Sequence, residues 1–172
     1  MFQTIDYATL ELNPFTSIGT DAFLITAGNP GAWNTMTASW GTMGYLWNRP
    51  IFSVVVRDSR YTYEFMEKAE GFTCSFFPPE WKEALTFCGT HSGRDIDKAA
   101  ATGLVPVATS GPDGVERVTF EQANMVFSCT KASRVPFNPG QFVIPSIDTH
   151  YPHKDYHCMY IGFIDEILIQ AE

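Results

Sequence analysis

The sequence predicts one mainly β domain: a β-barrel decorated by short helices. Three observations lead there. Short apolar runs, many of them β-branched, recur along the chain and stop at clusters of Gly, Pro and Asn. Only three segments carry helical signals, and no strand–helix–strand repeat joins them, which disfavours a doubly wound sheet. The 172 residues, 45% hydrophobic and 15% aromatic, suffice for one core and are too apolar for disorder.

In chain order, Phe23–Ala27 reads as a strand stopped by Gly28-Asn29-Pro30-Gly31, with the segment from Trp33 to Trp40 as its hairpin partner. Ile51–Val56 is almost wholly apolar, as expected of a strand buried on both faces. Phe72–Phe77 is a further strand, closed by Pro78-Pro79. Between these lies a helix over 63–70, with Thr62 as N-cap and Gly71 just past its end. A second helix over 80–88 sets Trp81, Ala84, Leu85 and Cys88 on one face, between Pro79 and Gly89. Ser92 and Asp95 resemble the start of a capping box for a third helix, which Gly103 closes. Strands then return: a Pro112-Asp113-Gly114 turn joins two, Val126–Thr130 is another, and Met159–Ile169 is a long last one. Trp33, Trp40 and Trp47 fall seven apart, but Gly41 and Gly44 rule out a coiled coil.

Charge narrows the function. Nineteen acidic against eleven basic residues leave a net charge of −8, which argues against a nucleic-acid binder. It leaves room for a few cations converging on one small phosphate. Residues 22–48 carry no charge, yet their Gly, Asn and Pro content suits strands and loops lining a neutral pocket better than a membrane span. The opening Met1–Asp6 lacks a basic or apolar leader pattern, and the four cysteines are widely spaced with no C-x-x-C. Both features predict reduced thiols in a cytoplasmic protein.

Three constellations could carry chemistry. Arg57–Thr62 leaves an apolar strand and enters a helix, and helix starts with arginine suit a phosphate. Thr90–Lys98 repeats the theme with a hydroxyl, Gly93 and Lys98. Taken alone, Arg57–Thr62 is better read as a surface loop whose arginines pair with Glu64 or Glu67, and Thr90–Lys98 as an ordinary capped helix with solvated charges. Together with the neutral aromatic stretch 33–47 they suit a ligand with a phosphate tail and a flat apolar ring. The third constellation is His150, His153 and His157, beside Asp148, Asp155 and Cys158. Its spacing matches no common zinc pattern and Pro152 interrupts a helix there, so ligand contact or acid/base work by one histidine is favoured over a metal site. No G-x-S-x-G elbow, P-loop or G-x-G-x-x-G occurs.

In this order and spacing, the segments NTMTASW (Asn34–Trp40), RDSRYT (Arg57–Thr62), SGRDIDK (Ser92–Lys98) and KDYHCMYIG (Lys154–Gly162) resemble the flavin reductase-like family of FMN-binding split barrels, near its flavoredoxin branch. The resemblance spans most of the chain. It implies a six-stranded Greek-key split barrel and a homodimer holding one FMN per subunit near the interface. It places the isoalloxazine along Asn34, Thr35, Met36, Thr37, Ala38, Ser39 and Trp40. The phosphate falls to Arg57, Arg60 and Thr62 on one loop and to Ser92, Gly93 and Lys98 on the other. By the same resemblance His157, five residues before Gly162, lies near the nicotinamide, although Tyr156 separates Asp155 from it. Cys158 and Phe163 stand where relatives often carry Arg and Glu.

The chemistry of these residue types agrees: Arg57, Arg60 and Lys98 for the dianion, Thr35, Thr37 and Ser39 for the ring edge, Trp40 and Phe77 for an apolar slot. The expected activity is transfer of electrons from NADH or NADPH through FMN to a flavin, metal or protein acceptor. A non-enzymatic flavoredoxin-type carrier, steered by the acidic charge to a basic redox partner, is the alternative, and a histidine-cluster metal protein the third.

Overall fold

The computed structural model describes residues 1–171. Its strands are β1 (Phe2–Ile5), β2 (Phe23–Asn29), β3 (Ala32–Ala38), β4 (Gly41–Leu46), β5 (Arg49–Arg57), β6 (Gly71–Phe76), β7 (Pro106–Ser110), β8 (Glu116–Phe120), β9 (Met125–Pro136) and β10 (His157–Gln170). The helices α1 (Pro14–Thr16), α2 (Tyr61–Lys68), α3 (Lys82–Thr90) and α4 (Lys98–Thr102) are short; a π-helical turn (Ser17–Asp21) continues α1, and short 3-10 segments punctuate the loops.

The main sheet runs β3-β2-β6-β9-β10-β5-β4, every pair antiparallel. The six strands from β3 to β5 make the barrel wall, and β4 extends one edge. β1 takes up the side of β10 that β5 has left, pairing Phe2–Ile5 with Gln170–Ile167. Although three strands separate β2 from β5 in this order, the rings of Phe23 and Phe52 lie 5.3 Å apart. The sheet therefore curls until its two halves share one core. Phe23, Phe52, Phe76 and Phe127 fill its centre in stacked and edge-on pairs. The outlying hairpin β7–β8 is tied to β6 by Thr73 and Ser75, whose hydroxyls reach Val118 O (2.6 Å) and Thr119 Oγ1 (2.9 Å).

β10 is long enough to serve both ends of the barrel because it bends. Its register against β9 slips at Ile161/Gly162 and again at Ile164/Glu166. At the first slip a Cβ on Gly162 would lie 2.6 Å from Phe72 Cζ and 2.8 Å from Cys129 Cβ, so only glycine lets β10 cross this tightly packed wall.

Several local expectations need correcting. α2 starts at Tyr61 with Arg60 as N-cap, and Gly71 opens β6 instead of ending the helix. Thr62 does not cap because its hydroxyl is turned inward, where it accepts from Asn34 Nδ2 at 2.7 Å. Ser92 and Asp95 lie in a turn that Ser92 Oγ closes on the Arg94 amide (3.2 Å). The helix behind them is capped by Asp97, which accepts from Ala100 N at 3.0 Å, and Gly103 ends it at φ 76°. β1 and β4 were not legible: β1 is short, and Gly41 and Gly44 dilute the alternation of β4. The β4–β5 turn is formed by Trp47 and Asn48, both with positive φ (51° and 58°), where Asn-Gly is the usual pair.

Among the described residues no helix is long and apolar enough to cross a membrane. The four cysteines are buried and free.

Candidate flavin-type ligand site

Four pieces of chain meet at one end of the barrel: the end of β3, the junction of β5 with α2, the turn over 91–97, and the start of β10. They enclose two adjoining cavities of about 150 and 180 Å³, which share Met36 and Arg60. The first holds Thr37, Ala38, Ser39, Trp40, Arg57 and His157. The second holds Asn34, Thr62, Ser92, Gly93 and Lys98. The fold thus brings the sequence-predicted site residues to this groove except Phe77 and Thr35, the latter with its hydroxyl buried behind β3 against Ile25 O (3.1 Å) and Thr26 Oγ1 (2.9 Å). A larger cavity, about 710 Å³, lies by the β2–β3 turn and the end of α2, and none of those residues lines it.

Lining the groove is not the same as being free to bind. The alternation of β3 turns Asn34 and Met36 toward it, while the Thr37 hydroxyl is spent on Leu85 O. Arg57 gives Nη1 to Asp155 (2.8 Å) and Nη2 to His150 O (3.0 Å), and its guanidinium sits 4.9 Å from the Tyr151 ring centroid. Ser59 donates to the other Asp155 oxygen at 3.1 Å. Arg57 therefore latches the 137–156 segment to β5 as much as it faces the cavity. Arg94 pairs with Glu64 over Tyr61. Glu67 takes Arg134, not a site arginine. Phe77, expected in the slot, packs instead with the separate cluster of Leu24, Leu85 and Phe120.

Arg60 is different. It is the one arginine without a carboxylate partner among the described residues. A single hydrogen bond, Nη2 to Gly89 O at 2.9 Å, steadies it and leaves the other guanidinium donors open. α2 begins beside it with no side-chain cap, so the positive end of the helix faces the second cavity. Lys98 completes the group from below: it is buried, donating to Thr35 O and Cys88 O at 2.7 Å each, with a third N–H left. Burial, reinforced by the Arg60 charge, pulls the Lys98 ammonium down to about 8. Two cations with no carboxylate partner among the described residues, close enough to repel each other, are an arrangement that an anion would relieve. Gly93 forms the opposite wall, where a Cβ would come within 1.9 Å of Asn34 Oδ1.

The ring end is aromatic. His157 is buried, 5.2 Å from Trp40 and 6.3 Å from Phe137 between ring centroids. Burial first, then the Arg57 charge, lowers its imidazole to about 4, so it is neutral at pH 7 and is not a proton source there. Its Nδ1 lies 2.8 Å from Tyr151 Oη. Tyr151 was not singled out from the sequence; its place between His150 and Pro152 carried no signal beyond the histidine cluster. The other histidines diverge: His150 is exposed with its ring against Trp40 (5.4 Å), and His153 is exposed. Among the described residues no three His, Cys, Asp or Glu side chains group closely enough for a metal ion. Cys158 faces the core, and Phe163 stacks under Arg49 at 4.3 Å, away from the groove.

Comparison with known structures finds the same architecture. Flavoredoxin from Methanosarcina acetivorans superposes with a TM-score of 0.66 at 19% identity, over 87% of this chain and 68% of that one. An FMN-binding protein from Thermus thermophilus, with bound 1-cyclohex-2-enone, gives 0.64 at 22% identity, over 95% and 79%. The FMN-binding domain of a flavin reductases-like enzyme from Shewanella baltica gives 0.68 at 16% identity, over 98% and 77%. At such identities the likeness is one of fold. The search of curated proteins found no significant match. The model of the flavin reductase like domain, however, matches residues 15–167, nearly the whole chain. With its curled antiparallel sheet and this groove, the chain belongs to the flavin reductase-like domain family.

Proposed function

We propose that the groove binds FMN and that the protein is an FMN-dependent oxidoreductase, drawing electrons from NADH or NADPH and passing them to a flavin, metal or protein acceptor. The observation that carries this is the pairing of Arg60 and Lys98, two cations with no carboxylate partner among the described residues, at one end of a groove whose other end is walled by Trp40 and His157. A phosphate-bearing aromatic ligand fits that polarity, and the groove's chain-specific details agree with FMN. The uncapped start of α2 adds unused amides, and Gly93 keeps the wall free of a side chain.

Arg60, Lys98 and the α2 amides would hold the phosphate. Ser39 and the β3 backbone would meet the ring edge, and Trp40 with Met36 would give the apolar contact. Bound flavin supplies the redox chemistry, accepting two electrons and delivering one or two. The chain's own tasks are then to bind, to orient and to exclude water. His157 would contribute as an uncharged hydrogen-bonding group. The Arg57–Asp155–Ser59 latch holds the 137–156 segment to the end of β5 beside the groove.

The family resemblance also suggests a homodimer. Trp40, Tyr45, Leu46 and Trp47 are exposed along β4 and its turns, an aromatic edge that a second copy would cover. Sedimentation equilibrium should give twice the 19.2 kDa chain mass; a stable monomer with bound flavin would refute it.

The test of the function is steady-state NADH and NADPH oxidation by the flavin-loaded protein, with FMN, FAD or ferric complexes as acceptors. Turnover with either nicotinamide supports an enzyme. Bound FMN without turnover, but with reduction by a partner protein, would favour the carrier reading, which the net charge of −8 suits for a basic partner.

A further inference from the structure

Tyr151 and His157 form a buried pair whose geometry restricts where the imidazole proton can sit. Tyr151 is 2% exposed, and its hydroxyl has one side-chain partner among the described residues, His157 Nδ1 at 2.8 Å. Among the described residues the other ring nitrogen, Nε2, has no hydrogen-bond partner. It is not sealed in, since the only fully enclosed side-chain polar atom without a partner is Ser128 Oγ among the described residues. Nε2 therefore opens on the cavity that His157 lines with Ser39 and Trp40.

From this we infer that Tyr151 is a positioning residue: its hydroxyl donates to Nδ1 and fixes His157 as the tautomer protonated on Nε2, so that the cavity is offered an N–H donor. The matching ligand group is an acceptor atom of a bound ring system, a carbonyl oxygen or an unprotonated ring nitrogen. The opposite arrangement, with Nδ1–H donating to Oη, would leave the phenol proton buried with no acceptor, which native interiors avoid.

A single N–H is available because the ring is neutral. The charged and titratable groups facing it are Arg57 at the end of β5, Arg60 at the start of α2, Asp155 from the preceding segment, and Tyr151 itself. The two arginines and burial disfavour a second proton, and Asp155 opposes them without prevailing. His157 thus acts by a fixed hydrogen bond, not by proton transfer.

The ligand half of this inference rests on the flavin reading, whereas the tautomer half does not. Long-range proton–nitrogen correlation spectra of the full-length protein with ¹⁵N-histidine, without added flavin, test the tautomer directly. The His157→Gln spectrum assigns the signal. The expected pattern is protonated Nε2 with an acceptor-type Nδ1, unchanged across about pH 5.5–8 where free histidine titrates. Tyr151→Phe should move that signal toward a tautomer mixture. A wild-type Nδ1–H pattern, or a Tyr151→Phe spectrum identical to wild type, would overturn the inference. If Tyr151→Phe does not fold, the wild-type spectrum decides alone. FMN is then added. A shift of the Nε2 proton supports the donor role, and tryptophan quenching without that shift overturns it. Absence of quenching defeats the flavin reading and leaves the tautomer result standing.

Discussion

Arg60→Gln should separate phosphate binding from ring binding. Glutamine keeps a polar stem without the charge, and the backbone bonds of Arg60 to Arg57 O and from Tyr63 N are untouched; its amide falls short of the Nη2 position that reaches Gly89 O (2.9 Å), so that bond goes with the charge. What is lost is a guanidinium with no carboxylate partner and several free donors. A hydrogen bond involving a charged group contributes about 1.5–3 kcal/mol net. The Kd for FMN should therefore rise by about 10- to 150-fold. Riboflavin has the ring but no phosphate, so its affinity should change by less than about threefold, within the scatter of surface substitutions. Titration of both ligands into both proteins, read by quenching of tryptophan fluorescence, gives the four constants needed. Equal losses for FMN and riboflavin would place Arg60 at the ring and refute the assignment of the phosphate end. No loss for either would remove Arg60 from the site.

The other predictions bear on charge and packing. FMN affinity should fall as pH rises past about 8, where Lys98 loses its proton, and Lys98→Met should abolish that step while leaving riboflavin binding without it. The buried neutral His157 makes stability fall on acidification: the unfolded chain takes a proton near pH 6.5 and the folded one only near 4. Between those values about 3 kcal/mol is lost, and denaturant titrations of His157→Gln against wild type at pH 7 and pH 4.5 should show the loss shrink in the variant. Gly162→Ala forces a methyl to within 2.6 Å of Phe72 and should cost about 1–3 kcal/mol in thermal unfolding. Phe127→Ala, at the meeting point of the core rings, should cost about 3–5 kcal/mol in urea unfolding.

How far the sequence could be read depended on what kind of signal each residue left. The strands at Phe23, Ile51, Phe72 and Val126 were legible because burial on both faces demands continuous apolar runs, and the one at Met159 because it is long and rich in Ile and Phe. Their ends were not, since β9 continues to Pro136 through half-exposed and exposed, mixed residues and β10 starts two residues early, at a buried His157 and Cys158. The site was legible as a set of segments, because the family motifs mark them. The division of labour within each segment was not. Thr35 and Thr37 carry the hydroxyls expected of a ring contact, yet β3 packs against α3 and β2, and both hydroxyls answer carbonyls there. Arg57 and Arg60 lie three apart and look equivalent in one dimension. Asp155, nearly a hundred residues later, claims one and leaves the other free. Tyr151 was invisible for the same reason: its partner is chosen by the turn over Pro145–His150 and not by any local pattern.

The measurement that bears most directly on the central claim is the visible spectrum of the protein as purified, with any released chromophore identified and FMN titrated into the remainder. The account predicts flavin absorption bands, FMN as the chromophore, and saturation at one FMN per chain. No chromophore, together with no tryptophan quenching on addition of FMN, would contradict it: the groove between Arg60 and His157 would then not be a flavin site.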